Sequence, residues 1–386
     1  MRRVGIGLIG AGFMGSQHAR GYRLARALRP DLDVEPELVV VADLDAQRAQ
    51  ALADAWRPGR NSAEWQSVVE DPAVDVVDIC LPPFLHHQVA MAAIAAGKHV
   101  YCEKPVGLDI AETAELAAAA KAAGAHTLVG FNYRWIPAIA TAKQIVESGR
   151  IGEIRNVAMS FDSNWAADPE GSWDWRFSAK LGGAGAIADT GSHLFDMARH
   201  LVGELDLVAA AIDTYIPQRR HGEQLERVDT DDAFVVIARF ANGALGRFEG
   251  SRVAPGSTVD FSLTLTGTSG ALRWDLQDMN KLELYERGTA PLDGFSTIVL
   301  GPEHPLHATF SPVRGLGVGF ADSKTAEIQH LLECLATDVQ PSPSFDDALA
   351  AAKLVDDALA AAQVAGAPAA AQLVEDAPPK EQRHDG

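Results

Sequence analysis

Positive charge is scarce in this 386-residue chain: 33 Lys and Arg stand against 52 Asp and Glu, a net charge of −19. A surface so negative repels phosphate backbones and anionic lipid, which argues against nucleic acid or membrane partners. Cysteine is scarcer still. Cys80, Cys102 and Cys334 are too few and too scattered for a disulfide framework or a CxxC metal site, and the apolar runs around Cys80 and Cys102 fit buried free thiols. No apolar run reaches the roughly 18 residues that a membrane span needs. No small-residue cleavage site follows the adjacent Arg2 and Arg3, so the expected compartment is the cytoplasm. What remains is an ordinary globular composition, 47% hydrophobic and 22% charged, long enough for two domains with their own cores.

Through the first 130 residues, short apolar runs alternate with helical stretches. Runs at 4–9, 38–42, 74–81, 99–102 and 127–129 are separated by helical patterns at 16–28, 45–56, 85–96 and 111–123. Buried strands spaced by helices signal βαβ units, hence a doubly wound parallel sheet with both faces covered. Beyond Gly130 the pattern changes. A helix is expected at 136–148 and a strand at 154–161. Then come a polar, aromatic loop at 162–180, a glycine-rich stretch at 181–185 and a helix at 192–202. Alternating strands between 207 and 285, with a hairpin signal at Asn242-Gly243, indicate an α+β domain with an open, largely antiparallel sheet. Helices follow at 321–336 and 345–364, the last able to return to the first domain. The expected division is 1–130, 131–365 and a frayed, Ala- and Pro-rich tail at 366–386.

Gly10-Ala11-Gly12-Phe13-Met14-Gly15 lies between the first strand and the first helix. There Gly10 allows a tight turn, Gly12 lets backbone approach a pyrophosphate, and Gly15 lets helix and strand pack closely. The helix end then offers free N–H groups, including those of Phe13 and Met14, to phosphate. Asp43, ending the second strand, is placed to bond the adenine ribose hydroxyls and to repel a 2′-phosphate, which favours NAD over NADP. It lies 28 residues beyond Gly15, against the usual spacing of about 20, and a surface insertion at 29–37 is expected to absorb the excess.

Glu103-Lys104-Pro105 follows a buried strand on the carboxyl edge where open α/β sheets bind ligands. An ammonium there can hold a substrate hydroxyl and stabilise developing alkoxide charge. In the run 189–196, Asp189 is expected to cap a helix with His193 four residues on along the same face, so that the aspartate raises the basicity of a histidine base. A capping Asp beside a core His is the bland alternative, and a metal site from Asp189, His193 and Asp196 has no distinctive spacing. No metal is expected. Leu81 and Pro82 end the third strand; His86 and His87 sit near the same edge, for cofactor, substrate or packing. Asn132, Tyr133 and Arg134 are expected to face the cleft between the domains. In the aromatic loop, Trp165 and Trp175 can stack on sugar C–H faces, with Trp173 alongside, and Arg176 can donate to sugar or cofactor.

Taken together, GLIGAGFMG (7–15), CEKP (102–105), GFNYR (130–134) and GGAGAIADTGSHLFDMARHLVG (182–203) resemble the Gfo/Idh/MocA oxidoreductases. The resemblance implies a Rossmann domain, a second domain whose sheet makes homodimers or homotetramers, bound NAD(P) and a Lys/Asp/His trio at Lys104, Asp189 and His193. NWAADP (164–169) and SWDWRF (172–177) are similar to the pyranoside 3-dehydrogenases within it. One departure is Leu81-Pro82-Pro83, where relatives often have Thr-Pro-Asn; Pro83 offers no side-chain hydrogen bond. The expected activity is NAD-dependent oxidation of a secondary hydroxyl, at C3, of a sugar, glycoside or anhydrosugar. Alternatives left open are an inositol or polyol dehydrogenase, an enzyme using bound NAD transiently, and a non-catalytic NAD sensor.

Overall fold

The computed structural model describes residues 2–56, 60–288 and 293–375, the side chains of 364–375 excepted. The N-terminal part runs β1 (Arg2–Ile9), α1 (Phe13–Leu28), β2 (Val34–Ala42), α2 (Ala46–Trp56), β3 (Arg60–Ser62), α3 (Gln66–Val69), β4 (Val76–Ile79), α4 (His86–Ala95), β5 (His99–Cys102), α5 (Ile110–Ala123) and β6 (Thr127–Val129). Its strands form one parallel sheet in the order β3-β2-β1-β4-β5-β6. All four residues of β4 are buried, as a strand covered on both faces requires. The order reverses between β1 and β4, and the crevice past their carboxyl ends is where such sheets bind ligands.

One expectation needs correcting here. Residues 34–37 are not an insertion: Val34, Glu35, Pro36 and Glu37 pair with Arg2 to Gly5 of β1, leaving only 29–33 as the turn. Pro36 lacks a donor but costs the ladder little, because β3 pairs with β2 only at Val40 to Ala42 and that edge is open at Pro36. A longer strand therefore accounts for the wide glycine-to-aspartate spacing.

The second part comprises α6 (Pro137–Glu147), β7 (Ile154–Ser163), α7 (Ala179–Gly182), α8 (Ser192–Leu201), β8 (Leu205–Asp213), β9 (Gln218–His221), β10 (Gln224–Arg227), β11 (Ala233–Phe240), β12 (Leu245–Ser251), β13 (Val259–Gly267), β14 (Gly270–Asp275), β15 (Lys281–Glu286) and β16 (Ser296–Val299). Helices α9 (His307–Phe310), α10 (Phe320–Thr337) and α11 (Phe345–Glu375) follow. Eight strands form an open sheet, β16-β15-β14-β13-β7-β12-β11-β8, antiparallel except for β7 against β12. Period-two burial sends Phe234, Val236, Ala238 and Phe240 of β11 into the core. There they share one cluster with Leu194, Phe195 and Leu201 of α8 and Ile139 and Ile145 of α6.

Helix α10 packs back on α1, with Ile328, Leu331 and Leu332 joining the N-terminal core. Helix α11 spans both units: Phe345, Ala348 and Ala351 belong to the N-terminal core, Leu354, Val355 and Ala358 to the other. It continues past residue 365, where fraying was expected, to Glu375; residues 376–386 of that tail lie outside the described residues. Among the described residues, no helix is long and apolar enough to cross a membrane.

Candidate active site

A cleft of about 670 Å³ opens past the carboxyl ends of β1, β4 and β5 and is closed on its far side by β7, α8 and the aromatic loop. That lies within the several hundred Å³ usual for a small-molecule or cofactor site. The glycine loop forms one end. Gly10 has φ +101, a left-handed conformation that only glycine adopts freely, and a Cβ on Gly15 would lie 1.8 Å from the Gly10 carbonyl oxygen. A Cβ on Gly12, by contrast, would meet nothing within 4 Å, so the space above that backbone is open to a ligand. Helix α1 begins with no side-chain cap, which leaves its first N–H groups for an anion. These features fit a dinucleotide pyrophosphate. Asp43 braces the loop, accepting from the Ala11 N–H at 2.7 Å and the Asp45 N–H at 2.8 Å. Phe13, Met14, Leu81 and Pro82 line the same end, together with Arg48, which sequence reasoning passed over.

At the cleft floor, Lys104 Nζ donates to Asp189 Oδ1 at 2.5 Å and to the Asp189 carbonyl at 2.9 Å. Asp189 is not the helix cap that the sequence suggested. It lies within a π-helical turn, Ile187–Gly191, that leads into α8. Such turns concentrate at functional sites. Asp231 shapes the approach to this turn, accepting from the N–H groups of Gly185 and Ile187, each at 2.8 Å. Burial raises the Asp189 carboxyl, but the Lys104 ammonium outweighs it and holds the group below the ordinary carboxylate range. The carboxylate is thus ionised, and 45% of its side-chain surface faces the cleft.

His193 follows on the first turn of α8 and is 8% exposed. Its ring is held by edge contacts with Phe131 and Tyr133, at centroid distances of 5.7 and 4.8 Å, rather than by a hydrogen bond to Asp189. Burial, then the Lys104 charge, push the imidazole well below 6.5. The expected aspartate-raised basicity is therefore replaced by a neutral, acceptor-ready ring. Asp189 serves Lys104 instead.

Glu103 also reaches the cleft, anchored from behind. Its Oε1 accepts from His18 Nε2 at 2.9 Å and Lys324 Nζ at 2.5 Å, while His18 Nδ1 bonds Asp78. Burial opposes ionisation of Glu103, but Lys324 and His18 drive its carboxyl far down. Neither His18 nor Lys324 has a local signal in sequence; Lys324 comes from α10, 221 residues away.

Asn132, Tyr133, Trp165, Trp175 and Arg176 all line the cleft. The Arg176 guanidinium lies 4.2 Å over the Trp175 ring and pairs with Asp174 at 3.0 Å. Three expectations fail. Arg134 is buried in a two-pronged ion pair with Asp196, at 2.8 and 2.5 Å, and does not line the cleft. That pairing also takes Asp196 out of any metal site. His86 is buried, its nitrogens 2.7 Å from the carbonyls of Pro105 and Leu81, so it positions the Lys104 segment from beneath the wall. Trp173 turns outward and stacks on His221 at 4.8 Å. Among the described residues, the one group with metal-ligand proximity is His18, Asp78 and Cys80, inside the buried network behind Glu103.

Comparison with known proteins agrees with this geometry. Residues 4–131 match the oxidoreductase family with an NAD-binding Rossmann fold, and residues 139–273 match the GFO/IDH/MocA C-terminal domain. The chain is 34% identical to levoglucosan dehydrogenase of Pseudarthrobacter phenanthrenivorans, over 91% of this chain and 94% of that one. It is 27% identical to inositol 2-dehydrogenase of Rhizobium meliloti, again over 91% and 94%. Glucose-6-phosphate 3-dehydrogenase of Bacillus subtilis is 23% identical over 91% of this chain and 94% of its own. A solved levoglucosan dehydrogenase in complex with NADH and levoglucosan superposes with a TM-score of 0.91 at 33% identity, covering 94% of this chain and 98% of that one. The chain belongs to the Gfo/Idh/MocA family of NAD-binding oxidoreductases.

Proposed function

We propose that this oxidoreductase is an NAD-dependent dehydrogenase that oxidises a secondary hydroxyl, at C3, of a neutral sugar, glycoside or anhydrosugar such as levoglucosan. The observation that carries the reading is the Lys104–Asp189 pair at the cleft floor, one helical turn from a neutral His193. Bound NAD supplies the hydride acceptor at nicotinamide C4. Lys104, its ammonium fixed by Asp189, holds the substrate oxygen and stabilises negative charge as the carbinol C–H bond breaks. His193 accepts the hydroxyl proton; its ring is uncharged at neutral pH and has a nitrogen free to do so. Trp165 and Trp175 offer flat faces to the sugar ring.

A neutral substrate is supported by the charges in the wall. Arg176 pairs with Asp174, Arg252 with Asp232 at 2.8 Å, Arg48 with Asp45 at 3.1 Å and Lys104 with Asp189, leaving, among the described residues, no unanswered cation in the cleft for a sugar phosphate. Oxidation at C3 is supported by the relatedness to an enzyme named for that position. Lys104→Met and His193→Asn should each lower kcat by about 10²–10⁴-fold while NADH still binds. Near-normal turnover in either removes that residue from the chemistry. A screen of levoglucosan, glucose, methyl glucoside, glucose 6-phosphate and myo-inositol should show net NADH release with a neutral pyranose. Release only with inositol, or hydride exchange without net release, would replace the proposal with a polyol dehydrogenase or a transient-NAD enzyme. We further propose pairing of copies through the outer face of the eight-stranded sheet, where Val208, Val235, Ile237 and Leu245 are exposed; Ile237→Lys should lower the mass seen by light scattering.

A further inference from the structure

A further buried cation lies just behind the sugar-side wall and, among the described residues, has no carboxylate partner. Arg219 of β9 is 1% exposed, yet the hairpin that carries it, β9 and β10, presents seven of its eight side chains to solvent. A two-stranded hairpin is not stable by itself, so what docks it matters. Its Nη1 donates to the Asp168 carbonyl at 2.7 Å and its Nη2 donates to the Ala166 carbonyl, while the guanidinium lies 4.3 Å over the Phe177 ring. Among the described residues it makes no ion pair, and its Nε is buried without a partner. Burying an incompletely satisfied guanidinium is costly, and an apolar side chain fills such a site at less cost. Stability alone does not account for an arginine there.

Its contacts do. Ala166 and Asp168 closely follow Trp165 on the aromatic loop, and Phe177 follows Trp175 and Arg176. Trp165 packs on Phe177 at 5.6 Å. The hairpin grips this loop at a second place, where the Trp173 N–H donates to the Arg220 carbonyl at 2.7 Å. Both arms of one planar donor thus hold the end of the segment that carries Trp165, and its face packs on Phe177 at the end that follows Trp175, while Lys104, Asp189 and His193 stand on other elements of the cleft.

We propose that Arg219 is a positioning residue for the sugar: it sets sugar affinity through Trp165 and Trp175 without touching the substrate, the cofactor or the reacting atoms. The inference rests on the sugar-dehydrogenase reading above. The test uses the full-length enzyme with whichever neutral sugar of the panel gives the highest kcat/KM. Arg219→Met should raise the sugar KM by about tenfold or more, in line with the cost of misplacing a positioning group. Its kcat should stay within about threefold and its NADH affinity should not change. Arg219→Lys, which retains one carbonyl contact at most, should fall between the two. If Arg219→Met does not fold, Arg219→Lys alone decides the matter, with a KM rise of several-fold expected. A folded variant with wild-type KM overturns the proposal, as does one in which kcat and NADH affinity both fall as KM rises. Wild-type enzyme that turns over no sugar at all would instead sink the reading on which it rests.

Discussion

The two glycines of the loop that differ most in surroundings give the sharpest separation between folding and binding. Ala at Gly15 would drive its methyl into the Gly10 carbonyl, so Gly15→Ala should lower both thermal stability and NADH affinity. Ala at Gly12 meets open space; Gly12→Ala should melt like wild type yet bind NADH at least tenfold more weakly by fluorescence titration. Equal NADH affinity in that variant would move the pyrophosphate elsewhere. His193 makes a second residue-scale prediction. Because burial and Lys104 lower its pKa, the base form persists into acid, and the acid limb of kcat/KM should fall below pH 6.5. A limb above that value would mean another base. These residues were legible because each sits in a short local pattern, the glycines beside a strand end and His193 in the run that opens α8. Arg134 and His86 misled because proximity to a cleft in sequence says nothing of which way a side chain turns.

Among the elements, α8 carries the most. Its N-terminal side holds Asp189 and His193, and one turn later Asp196 ties the helix to Arg134, which also reaches Asp347 of α11 at 3.4 Å. Asp196→Ala would leave Arg134 buried with only that longer contact and a bond to the Ser342 hydroxyl at 3.2 Å. It should cost about 3 kcal/mol in denaturant unfolding, the lower part of the range for a broken buried pair. A loss below 1 kcal/mol would mean that Asp347 and solvent take over. Strand and helix order was readable from periodicity and turn residues. The π-helical turn was not: nothing in ADTGSH distinguishes a capped helix start from a widened turn, and what selects the turn is Asp231, some forty residues downstream. Strands β9 and β10 were missed for a related reason, being polar on nearly every side chain.

At the scale of the whole molecule, α10 and α11 return to the N-terminal sheet, so the cleft is built from both ends of the chain, and Lys324 arrives behind Glu103 by that route. Buried ionisable groups then set how stability depends on pH. For His18, burial opposes the charge, but Asp78 and the bond to Glu103 push it up to about 9; its contribution is full below 6.5 and is lost as pH rises through 9. For His200, burial pushes the ring down to about 3, and His86 and His193 are lowered likewise. Their contribution is present above 6.5 and is lost as pH falls below it. Thermal melts should therefore peak between about pH 6.5 and 8 and decline on both sides; a flat profile up to pH 10 would show that His18 is not charged in the fold. The central claim is that Lys104 and His193 act on one hydroxyl at the cleft floor. A crystal structure with NADH and the preferred sugar tests it most directly. The account predicts a single sugar oxygen about 3 Å from both Lys104 Nζ and a His193 ring nitrogen, with its carbon facing the nicotinamide. A sugar seated with no oxygen shared by those two groups would contradict it.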